Sequence, residues 1–315
     1  MNLEKNKMAD TLYVYVDLSG KAHLAGRLWV HTKNNKESAT FVYDDEWLKS
    51  PQRFSLDPAL QIGKGSFHTI PGKALFGAIG DSAPDLWGRT LMLRAARLDA
   101  KNNNMSIRHL REVDFLLRVN DIARPGALRF SLQKGGEFHA TDALGIPPKI
   151  ELPKLLNAAD VIHAGGGDVE ELKILLEAGS SLGGARPKAS IRNHNSQLLL
   201  AKFPRKDDTW DEVIWEAITL SLARKAGICT PQTKLVKVLG RHVLLLDRFD
   251  RNGSIRIPFL SGMSMLGASD HENRSYLELV DALRQFGAHP KRDMHELWRR
   301  IVFTVLVTNV DDHMR

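Results

Sequence analysis

The stretch Gly179-Ser-Ser-Leu-Gly-Gly-Ala-Arg-Pro-Lys188 constrains this chain more than any other. It sets three glycines and two serines between a helix-periodic segment and an apolar, β-branched run. Glycine admits φ > 0 and lets another molecule approach the backbone closely. Successive amides in such a loop can turn inward around an anion, and Lys188 adds a positive charge at its end. Two readings follow from the residues: a helix C-cap followed by a polar turn, or a phosphate cradle. The loop is not a Walker A motif, because Ala185 stands where the lysine after Gly184 would have to be, and it is not the G-x-G-x-x-G of protein kinases.

The flanking sequence gives the loop a context. Pro153–His163 and Val169–Ala178 have helical periodicity, with a flexible break at Gly165–Gly167. After the loop, Ala189–Ile191 and Gln197–Phe203 read as paired strands across the turn Asn193–Ser196. Lys202 ends the second strand; it is either an ordinary solvated lysine or one that reaches a nucleotide's phosphates. Thr209 and Glu212 have capping-box spacing, and Ile214, Ile218 and Leu222 form an apolar stripe on the helix they open. Gly227 is placed to end that helix at C′. Glu216, beside the stripe, is either solvated or paired with Lys202. Strands over Lys234–Leu239 and His242–Leu246 run into Asp247-Arg-Phe-Asp-Arg251. Loop, strand lysine, helix glutamate, strand pair and connector follow one another as they do in the nucleotide-binding lobe of protein kinases.

The first half reads differently. Leu12–Asp17 and His23–Val30 form a hairpin about Ser19-Gly20-Lys21, and Ala39–Tyr43 continues the strand pattern. Ser82 and Pro84 open a helix carrying Leu91, Leu93, Ala96 and Leu98. A second helix spans Arg108–Val119, and Gly126–Phe130 is another strand. No catalytic constellation appears here, so this half reads as a scaffold or interaction domain. Glycine-containing breaks near residues 134–148 place a boundary between residues 1–145 and 146–315.

Composition excludes several classes. The single cysteine, Cys229, rules out an intramolecular disulfide and a cysteine-built metal cage. The N-terminus MNLEKNKMADT has no apolar core of a secretory signal, and no run approaches a membrane span, so a cytoplasmic protein without a membrane partner is expected. The net charge of +7 is dispersed along the chain, which argues for solubility more than for direct nucleic-acid binding.

Leu297–Thr308 reads as a strongly apolar helix delivering Asn309-Val-Asp-Asp-His313-Met-Arg315. Asp311 could accept a hydroxyl proton there, or Asp311 and His313 could bind a metal.

Taken in order, Ser181-Leu-Gly-Gly-Ala-Arg-Pro-Lys188, Asp247-Arg-Phe-Asp-Arg251 and Asn309-Val-Asp-Asp-His313 resemble the HipA-family serine/threonine kinases, toxins of type II toxin–antitoxin pairs. Phe76-Gly-Ala-Ile-Gly-Asp-Ser-Ala-Pro-Asp-Leu-Trp-Gly-Arg89 extends the likeness into the first half. The resemblance implies an α+β chain: a β-rich N-terminal α/β domain, then a kinase-like domain with a mixed sheet and the start of a helical lobe. It implies ATP and Mg²⁺ as cofactors. ATP contacts would come from Gly183, Gly184, Ala185, Arg186, Pro187, Lys188, Lys202, Asp247, Arg248 and Phe249. Glu216 would pair with Lys202, Asp311 and His313 would belong to the catalytic loop, and Ser181 would be autophosphorylated, inactivating the kinase. A HipB-type helix-turn-helix antitoxin would be the partner, DNA would be reached only through it, and an aminoacyl-tRNA synthetase is the family's best-known type of substrate.

One departure stands beside these. The family's Mg²⁺-binding asparagine and aspartate fall after the position of Arg315, so no metal ligand is expected within these residues. Two expectations follow: a kinase whose helical lobe is incomplete here, or an inactive relative serving as a binding module and corepressor with its antitoxin.

Overall fold

The computed structural model describes residues 10–107, 109–141, 146–167, 169–179, 184–270 and 272–314. The first half opens with a meander of β1 (Thr11–Leu18), β2 (Lys21–Lys33) and β3 (Lys36–Tyr43). Its two-residue turns, Ser19-Gly20 and Asn34-Asn35, have positive φ at both positions, the turn type whose twist matches the strands it joins. There follow α1 (Asp45–Lys49), β4 (Ser66–His68), α2 (Gly77–Gly80), α3 (Leu86–Asn102), α4 (Glu112–Arg118) and β5 (Leu128–Ser131). The five strands form one antiparallel sheet in the order β4-β3-β2-β1-β5. Val14, Val16, Leu28, Phe41 and Trp47 meet Ile79 and Leu116 in its core.

The second half contains α5 (Leu152–His163), α6 (Val169–Gly179), β6 (Lys188–Arg192), β7 (Leu198–Lys202), α7 (Glu212–Lys225), β8 (Thr233–Val238) and β9 (Arg241–Asp247). Its sheet runs β6-β7-β9-β8. All its ladders are antiparallel, with one isolated parallel bridge from Pro148 to Arg192. The short hairpin β10 (Arg251–Asn252) and β11 (Ile255–Arg256) leads to α8 (Gly262–Met265), α9 (Tyr276–Phe286) and α10 (Pro290–Leu306). Among the described residues no helix is long and apolar enough to cross a membrane.

Strand alternation divides the second sheet's residues between two layers. Ala189, Ile191, Ala201, Val243 and Leu245 face a core built with α5 and α6. Leu200, Leu244 and Leu246 face Val213, Ala217 and Leu220 of α7. The apolar stripe expected on α7 is therefore displaced: Ile218 and Leu222 are 42% and 47% exposed. The cap is displaced too. Asp211, not Thr209, accepts from the Ile214 amide at 3.0 Å, and its other oxygen holds His242 Nδ1 at 2.8 Å. Gly227, at φ +77°, closes the helix as C′, its amide bonded to the Arg224 carbonyl.

Helix α3 lies in the first half of the sequence but packs into the second half's core, through Trp87 and Leu91. Asp85, not Ser82, is its N-cap residue. Ser82 is buried, and its hydroxyl bonds to the Ala78 carbonyl behind it.

The two halves also meet along a buried charged seam. Asp121, 1% exposed, accepts from Arg129 (shortest contact 2.6 Å) and Arg256 (3.3 Å); Arg129 also reaches Asp17 at 3.2 Å. Arg124 is fully buried, donates to the carbonyls of Ser82, Leu116 and Val119, and lies over the Phe130 ring. Burial pushes the Arg124 guanidinium down to about 9, because a desolvated cation is disfavoured.

Candidate functional site

Lys188 and Lys202 are register partners across β6 and β7, so their side chains share the α7 face of the sheet. There the Lys202 ammonium pairs with the Glu216 carboxylate. Of the two readings open for Glu216, solvated or paired with Lys202, the structure shows the pair.

Lys188 is only 9% exposed. Burial, then the neighbouring Lys202 charge, lowers its amine from 10.5 to about 8, against the opposing pull of Glu216 and Asp85. The unfolded chain holds this proton up to the ordinary lysine range, while the folded chain has released it by about pH 8. Stability is therefore expected to rise as pH increases from about 8 to 10.5, and this group contributes no slope below that window. Urea unfolding across that range should show the slope in the wild type and lose it in Lys188→Met; equal slopes would refute the assignment.

Gly184 of the loop sits directly over this amine. Gly184 has φ +76°, and a Cβ there would lie 2.6 Å from Lys188 Nζ. The N-terminus of α3 moors the described part of the loop at Gly184 and at Lys188. The Gly184 amide donates to the Asp85 carboxylate at 2.6 Å, and its carbonyl accepts from the Trp87 amide at 2.9 Å. Trp87 Nε1 donates to the Lys188 carbonyl at 3.0 Å. Between these points the Pro187 carbonyl accepts from the Phe203 amide and that of Ala185 from Arg205, while Arg186 pairs with Asp208. Ser181 and Gly183 lie outside the described residues.

The structure thus brings Gly184, Ala185, Arg186, Pro187, Lys188, Lys202 and Glu216 together. Asp247 ends β9 opposite Leu199 of β7, with its side chain exposed. Phe249 is 66% exposed and meets Phe259 edge-on. Arg248 is placed differently from its neighbours: its buried guanidinium takes Asp250 at 2.6 and 2.8 Å and the Ala123 carbonyl at 2.8 Å. It belongs to the seam between the halves.

Asp311 and His313 are exposed in the segment after α10. Thr308 leaves that helix at φ +53°, a strained conformation for a β-branched residue. Amides of Thr308 and Asn309 return to the carbonyls of Val305 and Thr304. Asp312 accepts from the Tyr276 hydroxyl, and the Met314 carbonyl from the Met263 amide, which seats the segment against α9 and α8. Among the described residues, no three carboxylate, imidazole or thiol groups converge into a metal site.

Asp85 and Trp87 were missed as parts of the site. Their stretch was legible as helix-opening, but they act on a loop about a hundred residues away, and no local periodicity reports that contact.

Two family models match the chain: the HipA N-terminal domain over residues 16–130 and the HipA-like C-terminal domain over residues 180–315. The chain belongs to the HipA family. Its fold is also similar to a solved chain from the Shewanella oneidensis MR-1 toxin–antitoxin complex of HipA, HipB and operator DNA. The TM-score is 0.56 at 16% identity, covering 96% of this chain and 71% of that one. A search of curated proteins returned no significant match. Family membership agrees with an α+β architecture in which both antiparallel sheets are present and the second carries the lysine–glutamate pair.

Proposed function

We propose that this HipA-family chain is a toxin acting as an ATP-dependent serine/threonine protein kinase in the cytoplasm. The observation that carries the reading is the Lys202–Glu216 pair set beside a desolvated Lys188 under a glycine loop. A buried amine of this kind gains most when an anion replaces its lost solvation, so Lys188 and Lys202 fit nucleotide phosphates. Asp247 and Phe249 would meet the base. Mg²⁺ would arrive with the nucleotide, and the family's asparagine and aspartate ligands for it fall after the position of Arg315.

MgATP, when bound, supplies the γ-phosphoryl group. Asp311 orients a serine or threonine hydroxyl and accepts its proton as the oxygen bonds to phosphorus and the β–γ bridge breaks, with ADP leaving. Lys188 and Lys202 hold the phosphates in place, Glu216 directs Lys202, and His313 orients the loop around Asp311. Ser181 is proposed as the autophosphorylation site. A phosphate there adds about −1.5 to −2 charges close to Lys188 in sequence, competing with ATP and inactivating the kinase. A HipB-type helix-turn-helix antitoxin is the proposed partner, with DNA contacted through it, and an aminoacyl-tRNA synthetase is the substrate class.

Incubation with MgATP followed by peptide mass spectrometry is expected to find one phosphate, on Ser181, that is absent from Asp311→Asn. An intact ATP site with no transfer to Ser181 or to any protein would refute the kinase. Asp311 is exposed, which also suits a second reading, an inactive binding module and corepressor. Equal antitoxin binding and operator repression by wild type and Asp311→Asn, without phosphate on Ser181, would support it.

A further inference from the structure

Asp85 is the N-cap residue of α3, yet its carboxylate accepts no bond from that helix's own amides. An aspartate there ordinarily takes the amide of the second or third helical residue. Here the amide of Trp87, the second residue, donates to the Gly184 carbonyl at 2.9 Å, while the Asp85 carboxylate takes the Gly184 amide at 2.6 Å. The helix start and the glycine have exchanged partners. The exchange turns an amide of the loop toward a negative charge, which is how an anion cradle treats its ligand.

Two more sources of positive potential act on that carboxylate. It stands at the start of a 17-residue helix, where the macrodipole favours an anion. It also interacts with Lys188: burial and then Lys202 disfavour the charged amine there, while Glu216 and then Asp85 favour it. A Cβ on Gly184 would fall 2.6 Å from Lys188 Nζ, so the amide and the amine border one small space. The loop's placement does not rest on the carboxylate alone. The Trp87 amide holds the Gly184 carbonyl, and Trp87 Nε1 holds that of Lys188 at 3.0 Å.

We propose that Asp85 is an internal anion at the Gly184 amide, in the position a nucleotide phosphate takes, so that phosphate binding displaces its carboxylate and the first half of the chain limits phosphate affinity. This rests on the nucleotide-binding reading of the Lys188–Lys202 cluster. Carboxylate and phosphate both accept from the same N–H, and two negative charges at such range repel. The incoming phosphate therefore gains only the difference between two charge-assisted bonds.

Asp85→Asn keeps an oxygen for the Gly184 amide and removes the charge, whereas Asp85→Ala removes both. Calorimetric titration with inorganic tripolyphosphate and with the non-hydrolysable ATP analogue AMP-PNP reads the difference. Tripolyphosphate is expected to bind about fivefold tighter to Asp85→Asn and about tenfold tighter to Asp85→Ala than to the wild type, with AMP-PNP in the same order. Equal or weaker binding by the variants would make Asp85 a mooring instead of a competitor; that overturns the proposal and leaves the nucleotide reading standing. If Asp85→Ala does not fold, Asp85→Asn carries the test. Binding of neither probe by any of the three proteins overturns the nucleotide reading and this inference with it.

Discussion

Lys202→Met is expected to raise the dissociation constant for AMP-PNP about a hundredfold while moving the thermal midpoint by no more than about 3 °C. The two effects differ because the lysine does two unequal things. Its pair with Glu216 has side-chain exposures of 30% and 34%, and a pair so open to solvent contributes about 0–1 kcal/mol to stability. Against a phosphate, on the proposed reading, the same ammonium would make a charge-assisted contact beside the buried Lys188, where solvent screening is weaker. Glu216→Gln should cost about tenfold, because the ammonium stays but loses the group that directs it. Calorimetry and a thermal melt on the same samples check both halves. An unchanged dissociation constant would remove Lys202 from the site.

Asp121→Ala is expected to destabilise the fold by about 3–5 kcal/mol, a large share of the 5–15 kcal/mol that holds a typical protein together. The carboxylate is 1% exposed and answers both Arg129 and Arg256, with Arg124 close by in the seam. Removing it leaves Arg129 and Arg256 to share Asp17 alone, at 3.2 and 4.0 Å, as counter-charge inside the buried seam. The seam joins β1, β5 and the β10–β11 hairpin, so its loss would loosen the halves from each other. Urea unfolding should show a midpoint shift of that size. A loss below about 1 kcal/mol would mean that water enters the seam and screens it.

The hairpins, both sheets and the Lys202–Glu216 pairing were legible because each depends on short-range signals: Ser19-Gly20 turns, alternating strands, a lysine ending one element and a glutamate on the next. Other features depend on distance in the sequence. Ile218 and Leu222 have helical spacing, yet the sheet selects Val213, Ala217 and Leu220 instead. Thr209 has capping-box spacing, but Asp211 wins because its carboxylate can also hold His242. Arg248 reads from its motif as a ligand contact, while Asp250 two residues later and Ala123 in the first half claim its guanidinium. The capture of the Gly184 loop by Asp85 and Trp87 is likewise invisible to any local pattern.

The placement of α3 bears on how such a chain could acquire its structure during synthesis. The ribosome delivers Trp87 and Leu91 well before Leu155, Leu175 and Ile191, the residues that cover them. At the midpoint of translation the meander can close on itself, but one amphipathic helix must wait with its apolar side in water. Neither half is then a self-sufficient folding unit in order of emergence. A stall between the two would leave a sticky helix open to chaperones or to a neighbouring nascent chain. The same threading means that the glycine loop meets its moorings on α3 only once the chain has been made past Lys188.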